Sequence, residues 1–206
     1  MAFTEDLDVF FSDFNDTVVY DSATYKGILE QPDEIVADGV VMTTDYMLTA
    51  KTVNLGSLLF DSSLTVNGDT YRVRNTRKID DGSLCILSLM KIDVTAPTLI
   101  SSSPAHNATG VSVSANIILT FSEDVYVESG NITIKKTSDD STVETIAVTS
   151  GQVTGTGTTQ ITINPSADFD AATEYYVQID ATAFDDAVGN SYAGISDKTS
   201  LSFTTA

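Results

Sequence analysis

Tryptophan is absent from this chain of 206 residues, cysteine and histidine occur once each, and proline occurs four times. A single cysteine excludes a disulfide framework. Any fold must therefore be held by burial of aliphatic and phenyl-ring side chains, at about 25 cal/mol per Å² of apolar surface. Cys85, in Leu84-Cys85-Ile86-Leu87, reads as a small buried hydrophobe. The lone histidine, His106, stands in a Pro104-Ala105-His106-Asn107 turn and reads as a solvated loop residue. No local motif beside it supplies the nucleophile and orienting carboxylate of a hydrolytic triad. Gly155-Thr156-Gly157-Thr158 lacks the Gly-Lys-Ser/Thr that cradles phosphates and reads as a strand connection. The chain is not expected to be an enzyme.

Apolar runs are short, and none approaches the roughly 20 residues that cross a bilayer, so no membrane association is expected. Bases are scarce as well. Ten Lys and Arg face 29 Asp and Glu, a net charge of −19, whereas phosphate contacts need cationic surface, which argues against a nucleic-acid binder, sequence-specific or general. The first residues carry Glu5, Asp6 and Asp8 and no base. A secretory signal begins positively charged, so synthesis in the cytoplasm is the expectation.

What is present divides at Asp93-Val94-Thr95-Ala96-Pro97, which suggests two domains, 1–92 and 93–206. In the first, Leu7, Phe10, Phe11 and Phe14 fall on one stripe of a short amphipathic helix, with Thr4 as its cap. Thr17-Val18-Val19-Tyr20 and 24–29 flank Asp21-Ser22-Ala23 and read as a hairpin. Residues 30–45, with Pro32, Gly39 and five acids, read as a long loop of the kind that is often functional. Asn67-Gly68 marks a tight hairpin between Leu64-Thr65-Val66 and 69–73. A second turn at Asp80-Asp81-Gly82 leads into 84–90, apolar on both faces and so expected as a central strand covered on both sides. A short helix packed on a small β-sandwich or barrel is the expected architecture.

These segments, Phe10-Phe11-Ser12-Asp13-Phe14, Lys26-Gly27-Ile28-Leu29-Glu30, 64–73 and Asp81-Gly82-Ser83-Leu84, resemble the head-tail joining proteins of tailed phages, the lambda attachment type, across residues 1–92. The resemblance implies a neck connector in the virion, a homo-oligomeric ring of six or twelve copies. Its partners would be a portal or portal adaptor protein on one side and a tail terminator or tail tube protein on the other. It also implies that the loop orders on docking, which makes Pro32, Asp33 and Glu34 candidate contacts.

The second half is Thr-, Ser- and Asn-rich with short alternating segments. Ile117, Leu119 and Phe121 are followed by Ile132 and Ile134, Ile161 and Ile163, Val177 and Ile179, and Leu201 and Phe203. About seven such strands fit an immunoglobulin-like β-sandwich, making the whole chain mainly β. Ser103-Pro104-Ala105-His106-Asn107, Leu119-Thr120-Phe121-Ser122-Glu123-Asp124-Val125, Glu174-Tyr175-Tyr176-Val177, Asp186-Ala187-Val188-Gly189-Asn190 and Leu201-Ser202-Phe203-Thr204-Thr205 resemble the bacterial Ig-like domain of surface proteins, the SbsA-like type. Phe169 stands where that family usually has Leu. The resemblance implies an outward module contacting host-surface glycans.

Two residue groups are candidate sites. Asp93, Glu123, Asp185, Asp186 and Asn190 offer oxygen ligands of the kind Ca²⁺ requires, although the last three also suit a tight turn. Asp139-Asp140 likewise reads as turn chemistry. Arg72, Arg74, Arg77 and Lys78 are four of seven bases in the first half. Arg72 and Arg74 share a strand face, suited either to protecting a sheet edge or to contacting an acidic neighbour or exiting DNA. The competing reading, a bacterial surface adhesin or cell-wall-binding fragment, requires an export route.

Overall fold

Two asparagine- and aspartate-led turns set the order of strands in the first half. A computed structural model describes residues 6–13, 16–31, 34–37, 40–43 and 45–206, and the chain divides into two units, Met1–Val94 and Thr95–Ala206. In the first unit, Asp21 and Ser22 both adopt positive φ (49° and 63°). They turn β1 (Asp16–Tyr20) into β2 (Ala23–Glu30), with Tyr20 opposite Ala23. Asn67 and Gly68 (φ 53° and 93°) likewise turn β6 (Ser63–Val66) into β7 (Asp69–Ile79). This is the primed geometry that matches the twist of paired strands.

Between these hairpins lie β3 (Glu34–Ala37), β4 (Val40–Thr43), β5 (Tyr46–Lys51) and the single turn α2 (Thr52–Leu55). After β7, a 3₁₀ turn at Asp80–Gly82 leads to β8 (Leu84–Lys91). Six strands close into a barrel in the order β1-β2-β5-β8-β7-β6. Val18, Leu48, Val66, Tyr71, Val73, Cys85, Leu87 and Leu89 fill its interior. Gly27 leaves room for close packing in β2: a Cβ there would lie 2.7 Å from Leu48 Cδ1 and 3.1 Å from the Thr49 carbonyl oxygen.

Three expectations change. Residues 30–45 are not a continuous loop: β3 and β4 pair antiparallel, Glu34 opposite Thr43 and Ala37 opposite Val40. The β-branched runs on either side of Asp38-Gly39 account for it. β8 is not covered on both sides. Cys85, Leu87 and Leu89 point into the barrel, while Leu84, Ile86 and Ser88 are half-buried on its outside, as closure of a single sheet demands. Finally, Asp6 caps the helix α1 (Leu7–Ser12), its Oδ1 accepting from the Asp8 N–H at 3.1 Å. Thr4 and Phe14 lie outside the described residues. At six residues α1 is under two turns long. It buries only Phe11, leaving Phe10 42% exposed, and an ion pair from Asp8 to Lys51 ties it to the end of β5.

Barrel closure depends on the short β1–β6 pairing, Val18 opposite Val66 and Val19 opposite Thr65. The Asn67 turn extends it. Asn67 N–H donates to Thr17 O (2.9 Å), Asn67 Oδ1 accepts from Thr17 N–H (2.8 Å), and Asn67 Nδ2 donates to Asp16 Oδ1 (2.6 Å). Asp16 Oδ2 accepts in turn from Leu29 N–H of β2 (2.7 Å).

The second unit, described throughout, is a sandwich of ten strands rather than about seven: β9 (Leu99–Ser103), β10 (Ala108–Val111), β11 (Ile117–Val127), β12 (Asn131–Lys136), β13 (Thr142–Ala147), β14 (Val153–Thr154), β15 (Thr158–Ile163), β16 (Glu174–Ile179), β17 (Phe184–Asp185) and β18 (Ser202–Thr205). The additional ones are short or polar and carry no readable alternation. One sheet runs β10-β18-β16-β12-β13 and the other β14-β15-β11-β17, with β9 also on β11. Every alternating apolar residue named from the sequence is buried between them. Phe169 stacks on Tyr175 (4.8 Å) and Phe203 (5.3 Å), and Phe121 meets Tyr192 (5.2 Å) and Phe184 (5.4 Å). Before β18, Asp197 organises a tight turn. Its Oδ1 accepts from Thr199 N–H, Thr199 Oγ1 and Ser200 N–H at 2.6–2.8 Å, and its Oδ2 from Ser200 Oγ at 2.7 Å.

Replacing Asn67 by Gly keeps the positive-φ turn and removes only the side-chain staple. Loss of hydrogen bonds to a charged partner costs about 2 kcal/mol, so the first unit's melting transition should fall by roughly 10 °C, read by calorimetry. The Ser200 and Thr199 donors hold the Asp197 carboxyl at about 2, down from the ordinary 3.8. A depressed folded value stabilises above the unfolded pKa and ceases to do so as pH falls through the folded one. The melting difference between wild type and Asp197→Ala should therefore stay constant down to about pH 5 and shrink progressively as pH falls toward and through about 2.

Candidate functional site

Along β7 the side chains alternate, placing Tyr71 and Val73 inside the barrel and Arg72 and Arg74 outside. Arg72 Nη1 meets Asp61 Oδ2 at 3.0 Å and donates to the Asp61 carbonyl at 3.1 Å. Arg74 Nη1 lies 3.3 Å from Asp45 Oδ1, and its Nη2 donates to Met90 Sδ at 3.2 Å. A register shift between Val73 and Asn75 interrupts the β7–β8 ladder here, and such bulges re-aim side chains. Arg77 and Lys78, opposite Ile86 and Cys85, are exposed, and neither has an ion pair among the described residues.

Beside the arginines is an apolar element that the sequence reading passed over. Phe60, Asp61, Arg72, Val73, Arg74 and Met90 line a groove of about 240 Å³. Leu59 and Phe60, on the turn that precedes β6, are 76% and 77% exposed. The signal in the sequence is the run Leu58-Leu59-Phe60, which follows neither strand nor helix periodicity. Of the other candidate contacts, Pro32 and Asp33 lie outside the described residues, and Glu34 begins β3.

The acidic candidates are distributed differently. Asp93, exposed, is the penultimate residue of the first unit. In the second unit, Glu123 and Asp186 each bring a carboxylate oxygen within 4.8 Å of the other. Asp186 is engaged locally: its Oδ1 accepts from Val188 N–H (2.9 Å) and Asn190 N–H (2.8 Å), and its Oδ2 from Asn190 Nδ2 (2.7 Å). Burial works against its charge, yet these donors hold the carboxyl below its ordinary value. The turn geometry thus accounts for Asp186 and Asn190, and a Ca²⁺ at this corner would compete with backbone donors for the same oxygens. Asp185 Oδ1 is buried without a hydrogen-bond partner.

His106 is exposed, and it is not simply a solvated residue. Its Nδ1 accepts from Ser202 N–H at 3.2 Å, and Asn107 Nδ2 lies 2.9 Å from its Nε2. Ser202 Oγ donates to Asn107 Oδ1 at 3.1 Å. The imidazole ties 106–107 to β18, with its Nδ1 occupied by a backbone donor. Asp139 caps Ser141 within its turn, whereas the Asp140 carboxylate reaches out of the turn to accept from Tyr176 OH (3.0 Å) and Lys198 Nζ (2.6 Å), so of the two side chains only Asp139 performs the expected turn chemistry.

Residues 93–205 match the family model described as bacterial Ig-like domain, and residues 1–89 match that described as Phage Head-Tail Attachment protein. Both matches follow the order that the residue patterns implied. No curated protein matches the chain. The matched families are structural, and together they make this a phage head-tail structural protein, one that belongs to the bacterial Ig-like domain family through more than half of its length.

Proposed function

We propose that the first unit is a connector that joins phage head to tail as a ring of identical copies in the virion neck, six or twelve in number. The observation that carries this reading is the set of bases on β7, Arg72, Arg74, Arg77 and Lys78, on an otherwise acidic chain, within a domain matched to the head-tail attachment family. Charge of the minority sign concentrated on one strand is poorly placed for general solubility and well placed to select a partner. Its partners are neighbouring copies, a portal or portal adaptor protein and a tail terminator or tail tube protein. The chain is made in the host cytoplasm and leaves with the particle. The Ig-like unit, repeated once per copy, contacts host-surface glycans, and repetition converts weak individual binding into avidity.

Reversing Arg72 and Arg74 to Glu removes two surface ion pairs, which contribute little to folding. The double variant should keep its circular dichroism spectrum and lower the yield of tailed particles, counted by electron microscopy, at least roughly tenfold, the loss expected when a charge-selected contact is reversed. A normal yield of joined particles would remove the support for this role of the β7 face.

A further inference from the structure

Asn67-Gly68 is the one place in all 206 residues where Asn precedes Gly. An asparagine is thermolabile because the next backbone nitrogen can attack its side-chain carbonyl, and a glycine leaves that nitrogen least shielded. Both residues are exposed. Gly68 N–H donates to no backbone acceptor among the described residues, and beyond its chain neighbours no atom lies within 4 Å of where a Gly68 Cβ would stand. The nucleophile is thus unoccupied and open to water.

What restrains it is the closure of the barrel. The ring formed by such an attack contains the Asn67 Cα–C bond and needs Cβ, Cα, C and the Gly68 nitrogen nearly in one plane, a rotation that a primed turn does not have. Asn67 Cγ is also tethered to β1, its Oδ1 by Thr17 N–H (2.8 Å) and its Nδ2 by Asp16 Oδ1 (2.6 Å). Ring closure therefore waits for this staple to release.

We infer that Asn67 is a site of spontaneous deamidation, which reacts when the β1–β6 seam opens and whose products keep the seam from closing again. The seam beneath the staple is only the pairs Val18–Val66 and Val19–Thr65, and short exposed pairings are among the first parts of a fold to open. In the open state the Gly68 nitrogen gives up its proton to solvent and bonds to Asn67 Cγ. The Cγ–Nδ2 bond breaks, and the side-chain nitrogen leaves as ammonia. Water then adds to one or other carbonyl of the ring, leaving aspartate or isoaspartate at position 67.

Both products damage the seam. With aspartate, an oxygen takes the place of the donor that lay 2.6 Å from Asp16 Oδ1, so two carboxylates face each other where a hydrogen bond was. With isoaspartate, the main chain runs through Cγ, and a two-residue turn gains a backbone atom that displaces the β6–β7 register. A transient opening thereby becomes permanent. The inference does not depend on where the protein assembles.

The test is ageing of the purified full-length chain at physiological temperature and mildly alkaline pH, natively and in concentrated urea, with peptides mapped by mass spectrometry. Conversion at position 67 should be at least about tenfold faster in urea than in the native chain. In natively aged protein the converted fraction should melt in its first unit roughly 10 °C lower. Asp16→Ala, which cuts the staple, should bring native conversion toward the urea rate. Asn67→Asp should lower melting in the wild-type background and change it little beside Asp16→Ala, where the opposing carboxylate is gone. Equal rates natively and in urea overturn control by the seam, and an equal penalty for Asn67→Asp in both backgrounds overturns the carboxylate contact. No conversion at position 67 under either condition, or unchanged melting of the converted chain, overturns the inference as a whole. The wild-type arms decide the question whether or not Asp16→Ala folds.

Discussion

Closure of the barrel at β1 and β6 is the constraint on which the first unit depends. The pairing there is short, Val18 with Val66 and Val19 with Thr65, and two strands of that length have little independent stability. Asn67 and Asp16 extend it with side chains. Asn67 satisfies the backbone N–H and C=O of Thr17, and Asp16 bridges from Asn67 to the Leu29 N–H on β2. An open sheet of the same strands would expose two edges to pairing with other chains. A closed one presents its neighbours with side chains only, and the charge on those side chains then decides what can approach.

The second unit meets the absence of disulfides in another way. Aliphatic residues of the facing sheets interlock, and aromatic rings fill the sandwich where an immunoglobulin domain commonly has a Cys pair and a Trp. Phe169, Tyr175 and Phe203 form one group and Phe121, Phe184 and Tyr192 another. Ring pairs in tilted or edge-on geometry add about 0.5–1.5 kcal/mol each beyond burial, so these six residues have the leverage of a staple. Phe169 is an instance of size mattering: a ring at this position reaches both Tyr175 and Phe203. Tyr175 remains polar at its tip, where its OH accepts from the Asp170 N–H at 2.8 Å.

Much of this fold was legible because it is local. Asn67-Gly68 dictates a hairpin with its own φ preferences, and the alternation at Ile117, Leu119 and Phe121 dictates which face of β11 is inside. What was not legible is non-local or disguised. The placement of β5 between β2 and β8 is a choice among pairings separated by tens of residues, and no local preference makes it. The β3–β4 hairpin was hidden by the acids around it, although Asp38-Gly39 between two β-branched runs is a recognised turn signal. Arg72 and Arg74 were placed on one face by strand periodicity, but their partners Asp61 and Asp45 come from outside regular strands and become neighbours only once the barrel forms. Leu59 and Phe60 escaped notice because exposed apolar side chains on a turn leave no periodic trace.

The distribution of charge constrains what can approach the chain. A chain with a net charge of −19 repels copies of itself over the first Debye length, about 8 Å at physiological salt. Any contact between two copies must overcome that repulsion. Bases spread evenly would weaken it everywhere and direct nothing. Four of the ten instead stand on one barrel strand, β7, where Arg72 and Arg74 are paired with Asp61 and Asp45 and Arg77 and Lys78 have no ion pair among the described residues. An acidic partner would find most of the surface repulsive and this strand the exception. Contact at β7 is thus favoured by what the rest of the surface forbids as much as by what this strand offers.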